Sequence, residues 1–158
     1  MKKTFALICC FSVILGCANP DEVKMDDRLE EKIQLIIDSY QEEVSDSSKN
    51  LFDPPIYEVS FSERGGQCFL TVNTSYFYRT DLDGFTFIKN KLVAFYNVDS
   101  RCNENLIEIS TKKDDKVLDD FQNEEEAFDN YSPAWWEFKL QEDKLLVTNQ
   151  GKHEINFK

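Results

Sequence analysis

The apolar pattern changes its period partway along the chain, and that change constrains the fold class more than any other feature. Between residues 24 and 45 the apolar positions are Met25, Leu29, Ile33, Ile36, Tyr40 and Val44, spaced by three or four. That spacing puts them on one face of an amphipathic helix, and Ile37 widens the stripe. Asp26 and Asp27 fall in the first turn, where the helix dipole favours acids. From residue 56 the period is two. Tyr57, Val59 and Phe61 alternate with Glu58, Ser60 and Ser62. Gly65-Gly66 makes a turn, and Cys68, Leu70 and Val72 then alternate with Phe69, Thr71 and Asn73, in a strand that can run on to Tyr78. Asp83-Gly84 is a hairpin signal, and Lys89-Asn90 joins strands over 85–88 and 91–98. Further strands are expected over 106–110, 135–140, 145–148 and 154–157, the last three as a β-meander.

Residues 114–129 interrupt this rhythm. Val117, Leu118, Phe121 and Phe128 share a helical face, with eight acids against one Lys in the same stretch. A second, short acidic helix is expected there, closed by Pro133. Short strands joined by short turns favour antiparallel pairing. The expected fold is therefore α+β: an antiparallel sheet of about seven or eight strands with the N-terminal amphipathic helix against one face.

The N-terminus reads as an address. Met1, Lys2 and Lys3 precede an apolar run from Phe5 to Leu15, broken by Ser12. The run has the length of a secretory h-region and falls short of the roughly 20 apolar residues of a membrane span. It ends in Ile14-Leu15-Gly16-Cys17, which resembles the lipobox of bacterial lipoproteins. The resemblance implies that residues 1–16 are removed and that Cys17 carries the lipid anchor. Residues 17–23 are then a lipidated Cys and short tether, and 24–158 a single α+β domain. Ala18 after the Cys favours the outer membrane, by resemblance to proteobacterial lipoproteins. Asp21 and Glu22 are a hint of surface display, by resemblance to some Bacteroidetes lipoproteins.

Loss of residues 1–16 removes two Lys and no acid. The remaining 142 residues hold 16 basic and 30 acidic side chains, a net charge of −14. Nucleic-acid binding needs clustered Lys and Arg, so it is excluded as an expectation. The same charge disfavours docking on anionic lipid and suits a basic protein partner. Of five Cys, Cys9 and Cys10 leave with the signal and Cys17 is lipidated. Cys68 and Cys102 remain as an even pair in an oxidising compartment, and a disulfide between them is expected.

Residues with chemistry are few. Asp81-Leu82-Asp83-Gly84 resembles the middle of a calcium loop, but Arg79 and Asn90 stand where ligands are needed, so it reads as a turn. His153, the single histidine, follows a Gly turn and reads as exposed. Glu108, between Ile107 and Ile109, reads as the outward residue of a half-buried strand. Asp119, Asp120, Glu124, Glu125, Glu126 and Asp129 make the densest acidic stretch, a candidate surface for a basic protein. In Trp135-Trp136 the rings point to opposite sheet faces. Trp136 shares its face with Phe138 and Leu140 and belongs to the core. Trp135 is the candidate binding residue. No catalytic residue, metal or cofactor is expected. The leading expectation is a non-enzymatic, inhibitor- or immunity-like protein-binding lipoprotein of the cell envelope. A carbohydrate- or ligand-binding accessory lipoprotein is the alternative, and an enzyme with an unrecognised carboxylate site is third.

Overall fold

Asp26 divides the first strand from the first helix. The computed structural model describes residues 23–46, 53–79, 81–109, 133–141, 144–151 and 153–157. The Asp26 side chain accepts from Arg28 N–H at 2.9 Å, which caps helix α1, Asp27–Ser45. Capping of this kind stabilises a helix by about 1 kcal/mol. The helix thus starts later than its apolar spacing suggests. Val23–Met25 forms strand β1 instead, because both its apolar residues can pack on the core from an extended chain. Leu29, Ile33, Ile36, Ile37 and Tyr40 form the buried face of α1. No helix among the described residues is long and apolar enough to cross a membrane.

The remaining strands are β2 (Ile56–Arg64), β3 (Gln67–Ser75), β4 (Gly84–Ile88), β5 (Lys91–Tyr96), β6 (Ile107–Ile109), β7 (Trp135–Gln141) and β8 (Lys144–Gly151). Six of them make one sheet in the order β4-β5-β2-β3-β7-β8, while β1 and β6 pair separately. The fold is α+β and mostly sheet, with one helix among the described residues. The eight strands are divided between two sheets, where one sheet of seven or eight is expected from the alternation. The expected acidic helix over 114–129 lies outside the described residues.

One pair departs from the antiparallel expectation. β2 and β5 are parallel, whereas all other pairs are antiparallel. It follows that β3 and β4 run in the same direction, so the described residues 76–79 and 81–83 must return across the sheet. They do so over the face opposite α1, where Tyr78 and Leu82 pack on Ile56, Phe85, Leu92, Ala94 and Tyr96. Asp83-Gly84 is therefore the end of a crossover, not a hairpin turn. Asp83 accepts from Val98 N–H at 2.9 Å and fastens the crossover to the end of β5. The hairpin at Lys89-Asn90 forms as expected, with both residues at positive φ. Two such residues give the twist that a two-residue β-turn needs.

The main core lies between α1 and the other face of the sheet. It gathers Val59, Phe61, Leu70, Val72, Phe95, Trp136 and Phe138 against the apolar helix face. Cys68 and Cys102 form the expected disulfide, joining the start of β3 to a short 3-10 turn at Arg101–Asn103. The expected C-terminal strand over 154–157 does not form. The side chain of Gln150 instead bonds both backbone groups of Ile155, at 2.8 and 3.2 Å. One amide does locally what a ladder would do, and Ile155 is buried in the main core although it is in no strand.

Candidate functional site

His153 is the largest departure from the sequence reading. It is 5 % exposed and sits between α1 and β7. Its ring packs edge-on against Tyr40 and Trp136, at centroid distances of 5.6 and 6.1 Å. The Trp136 indole donates to the His153 carbonyl at 3.0 Å. Nε2 lies 3.1 Å from Ser39 Oγ and Nδ1 lies 2.7 Å from Glu43 Oε2. Ser39 and Glu43 are four apart on α1, so both reach one side of the helix. The order Ser, His, acid is that of a hydrolytic triad, but catalysis needs more than the order. The Glu43 oxygen is close to Nδ1 without an aligned hydrogen bond. Ser39 lies inside a continuous helix, whose backbone N–H groups are used within it and cannot stabilise an oxyanion. The cluster is a latch that ties the chain after β8 to α1. Ser39→Ala is expected to cost about 1 kcal/mol of stability, measured by urea denaturation, and to leave the fold intact.

A second group lies on the opposite sheet face. Register places Glu58, Asn73, Trp135 and Gly151 in one row across β2, β3, β7 and β8. A Cβ on Gly151 would collide with Nε1, Cε2 and Cδ1 of Trp135. The pyrrole side of the indole therefore packs against the Gly151 backbone, and Trp135 is half-buried. Trp136 is fully buried, as its alternation predicts. Gly151→Ala must lift the Trp135 ring. The expected result is a red shift of the Trp135 emission, measured in a Trp136→Phe background.

Glu58, at the other end of that row, lies near Arg79 and Asp81 of the crossover. Its desolvation raises its pKa, against the lowering effects of Arg79 and a hydrogen bond with Tyr96. Burial likewise raises the Tyr96 phenol. The Arg79 guanidinium stacks 4.1 Å from the Tyr96 ring centroid and pairs with Asp81. A folded pKa above the unfolded one makes stability fall as pH rises through the interval between them. Glu58→Gln should therefore raise the Tm near neutral pH and bring no gain near about pH 4, by calorimetry at both.

The third feature is the outward ridge of α1. Asp27, Glu31, Leu35 and Glu42 are its exposed residues along the outer line, with Leu35 37 % exposed. The two cations of the helix are drawn aside. Arg28 pairs with Asp26, and Lys32 lies over the Phe157 ring at 5.5 Å. Asp38, on the same line between Leu35 and Glu42, pairs with Lys89 of the β4–β5 turn, and the rest of the ridge is acidic with an apolar centre. Sequence reading missed it as a site because the stripe of buried residues dominates the helical pattern.

Of the sequence-derived candidates, Trp135 and the Cys68–Cys102 pair are described. Cys17, Asp119, Asp120, Glu124, Glu125, Glu126 and Asp129 lie outside the described residues. Glu108 is exposed on β6, as its place in the alternation implies. Among the described residues no cluster of three metal-ligating side chains occurs. Comparison with protein-family models, with curated proteins and with solved structures finds no match.

Proposed function

We propose that this chain is a lipid-anchored envelope protein that captures a basic protein partner, in the manner of an inhibitor or immunity protein, without catalysis of its own. The observation that supports this most is the outer ridge of α1. A line of exposed acids around Leu35, with both cations of the helix turned aside and Lys89 held on Asp38 between Leu35 and Glu42, offers charge at the rim and an apolar contact at the centre. That division is common in protein interfaces, where apolar contacts hold and charges steer. The lipobox-like Ile14-Leu15-Gly16-Cys17 supports the anchor. It would hold the domain at the membrane through more than one acyl chain, each buried methylene adding about 0.8 kcal/mol.

The test is expression of the full chain in a bacterial envelope, followed by crosslinking and identification of what is retained. A single basic protein held at low salt and released at high salt is the expected result. Cys17→Ser should leave that affinity intact and release the complex from the membrane fraction. Recovery only of abundant membrane proteins, equally with unrelated lipoproteins as bait, would sink the reading.

One observation favours a second reading, a carbohydrate-binding accessory lipoprotein. Half-buried Trp135 stands beside Asn73 in the strand register. A half-buried indole with a neighbouring amide suits the apolar face and hydroxyls of a sugar ring. Quenching of Trp135 emission by soluble glycans would support it, and unchanged emission across a glycan panel would remove it.

A further inference from the structure

The outer face of the six-stranded sheet, opposite α1, is divided in two. Over β4, β5 and the start of β2 it is apolar, and Tyr78 and Leu82 of the crossover pack on it. Over the rest of β2 and over β3, β7 and β8 its composition changes. Register lays out two neighbouring rows there. One is Glu58, Asn73, Trp135 and Gly151, and the next is Ser60, Thr71, Glu137 and Asn149. Asn149 is exposed and the others are half-buried. Apart from Trp135 and Gly151, every residue in the two rows ends in a hydroxyl, an amide or a carboxyl group. The α1 side of the same strands is lined instead with Val59, Leu70, Val72, Trp136 and Phe138.

We propose that these two rows bind an uncharged glycan chain lying across the strands, with Trp135 as the stacking residue and Asn73 and Glu58 as the polar groups that follow it. The inference rests on the carbohydrate reading given above and names its ligand class. It is compatible with capture of a protein on the α1 ridge, which lies on the other side of the sheet.

The first argument is charge. The chain as a whole has a net charge of −12. In the two rows the charges are balanced or muted. Glu137 pairs with Arg64, and its second oxygen accepts from the Thr148 hydroxyl at 2.9 Å. Arg79, beside Glu58, pairs with Asp81. Burial pushes the Glu58 carboxyl up, towards its uncharged form, against the lowering effects of Arg79 and a hydrogen bond with Tyr96. Lys139 belongs to the row beyond, with Phe69 and Leu146. What the two rows offer is a set of donors and acceptors around one indole, which suits a ligand rich in hydroxyls and poor in charge. An acidic sugar would meet Glu137 and the field of the chain's many acids.

The second argument is reach. Trp135 and Glu58 are separated by β3, so they stand about 10 Å apart at ordinary strand spacing. One sugar ring seated at the indole falls short of Glu58. Linked rings running across the strands meet Asn73 and then Glu58. The site therefore selects for chain length as well as for lack of charge.

The experiment uses the full lipidated chain in phosphatidylcholine nanodiscs and isothermal titration calorimetry. The probes are cellohexaose and chitohexaose, their two monosaccharides, and an oligogalacturonate as the acidic chain. The expected result is that at least one neutral hexasaccharide binds, about tenfold or more tighter than its monosaccharide and than the acidic chain. Trp135→Ala should weaken that binding about tenfold or more, and Asn73→Ala and Glu58→Ala severalfold each. Glu58→Gln keeps an uncharged polar group and should retain the parent's affinity. Each variant is compared with the parent in Tm, so that loss of binding is read from folded protein. No binding by either neutral hexasaccharide overturns both the carbohydrate reading and this inference. Binding that the acidic chain or the monosaccharide matches, or that survives Trp135→Ala and Glu58→Ala, overturns this inference alone.

Discussion

Trp136→Ala is expected to destabilise the domain by about 3–5 kcal/mol, which for a chain of this size is a large share of its total stability. The side chain is fully buried in the main core, on the second residue of β7. Its removal leaves a cavity beside Val72, and Tyr40 and His153 lose their edge-on partner. The His153 carbonyl also loses the indole donor. The latch between α1 and the chain after β8 should therefore loosen together with the core. The check is urea denaturation followed by circular dichroism, with hydrogen exchange at residues 153–157. Trp136→Phe keeps most of the volume and loses the hydrogen bond, so it should cost distinctly less. Equal costs for the two variants would show that the indole hydrogen bond, not the volume, dominates.

The second large effect belongs to the disulfide. Cys68 and Cys102 are 34 residues apart, and closing a loop of that length restricts the unfolded chain by about 3–4 kcal/mol in the chain-entropy account. The bond also fixes the 3-10 turn to β3, and through it the partner strand of β1. The double variant Cys68→Ser/Cys102→Ser is expected to lower stability by that amount and to expose the first strand to proteolysis earlier than the rest. Denaturation of the parent with and without reductant measures the same quantity without mutation. A loss well below 1 kcal/mol would contradict the chain-entropy account.

How far the sequence alone led differs from element to element, for physical reasons. α1 and most of the strands were legible because one face is buried and the other is wetter, which imprints the period on the sequence, whereas β5, buried on both faces, was legible as a continuous apolar run after the Lys89-Asn90 turn. The Cys pair was legible from compartment and count. The parallel pairing of β2 and β5 was not, because alternation records which face a residue occupies and not which strand lies beside it. The crossover of residues 76–83 has the composition of a loop, and only the strand order shows that it covers a sheet face. His153 misled for another reason. A polar residue after a glycine turn is ordinarily exposed, and its burial depends on Ser39 and Glu43, more than a hundred residues away. Of the candidate site, Trp135 could be placed on the outer face by alternation. Its contact with Gly151 depends on register and was not readable.

The acidic ridge of α1 is the centre of the functional account, and one comparison tests it directly. Full-length chain and a Glu31→Lys/Glu42→Lys variant are expressed in the same bacterial envelope, crosslinked, and the retained partner is quantified. Both positions are exposed on the helix, so the variant should keep the parent's Tm within a few degrees. The account predicts that recovery of the basic partner collapses in the variant while membrane association is unchanged. Undiminished recovery from a folded variant would contradict it and shift attention to the Trp135 face.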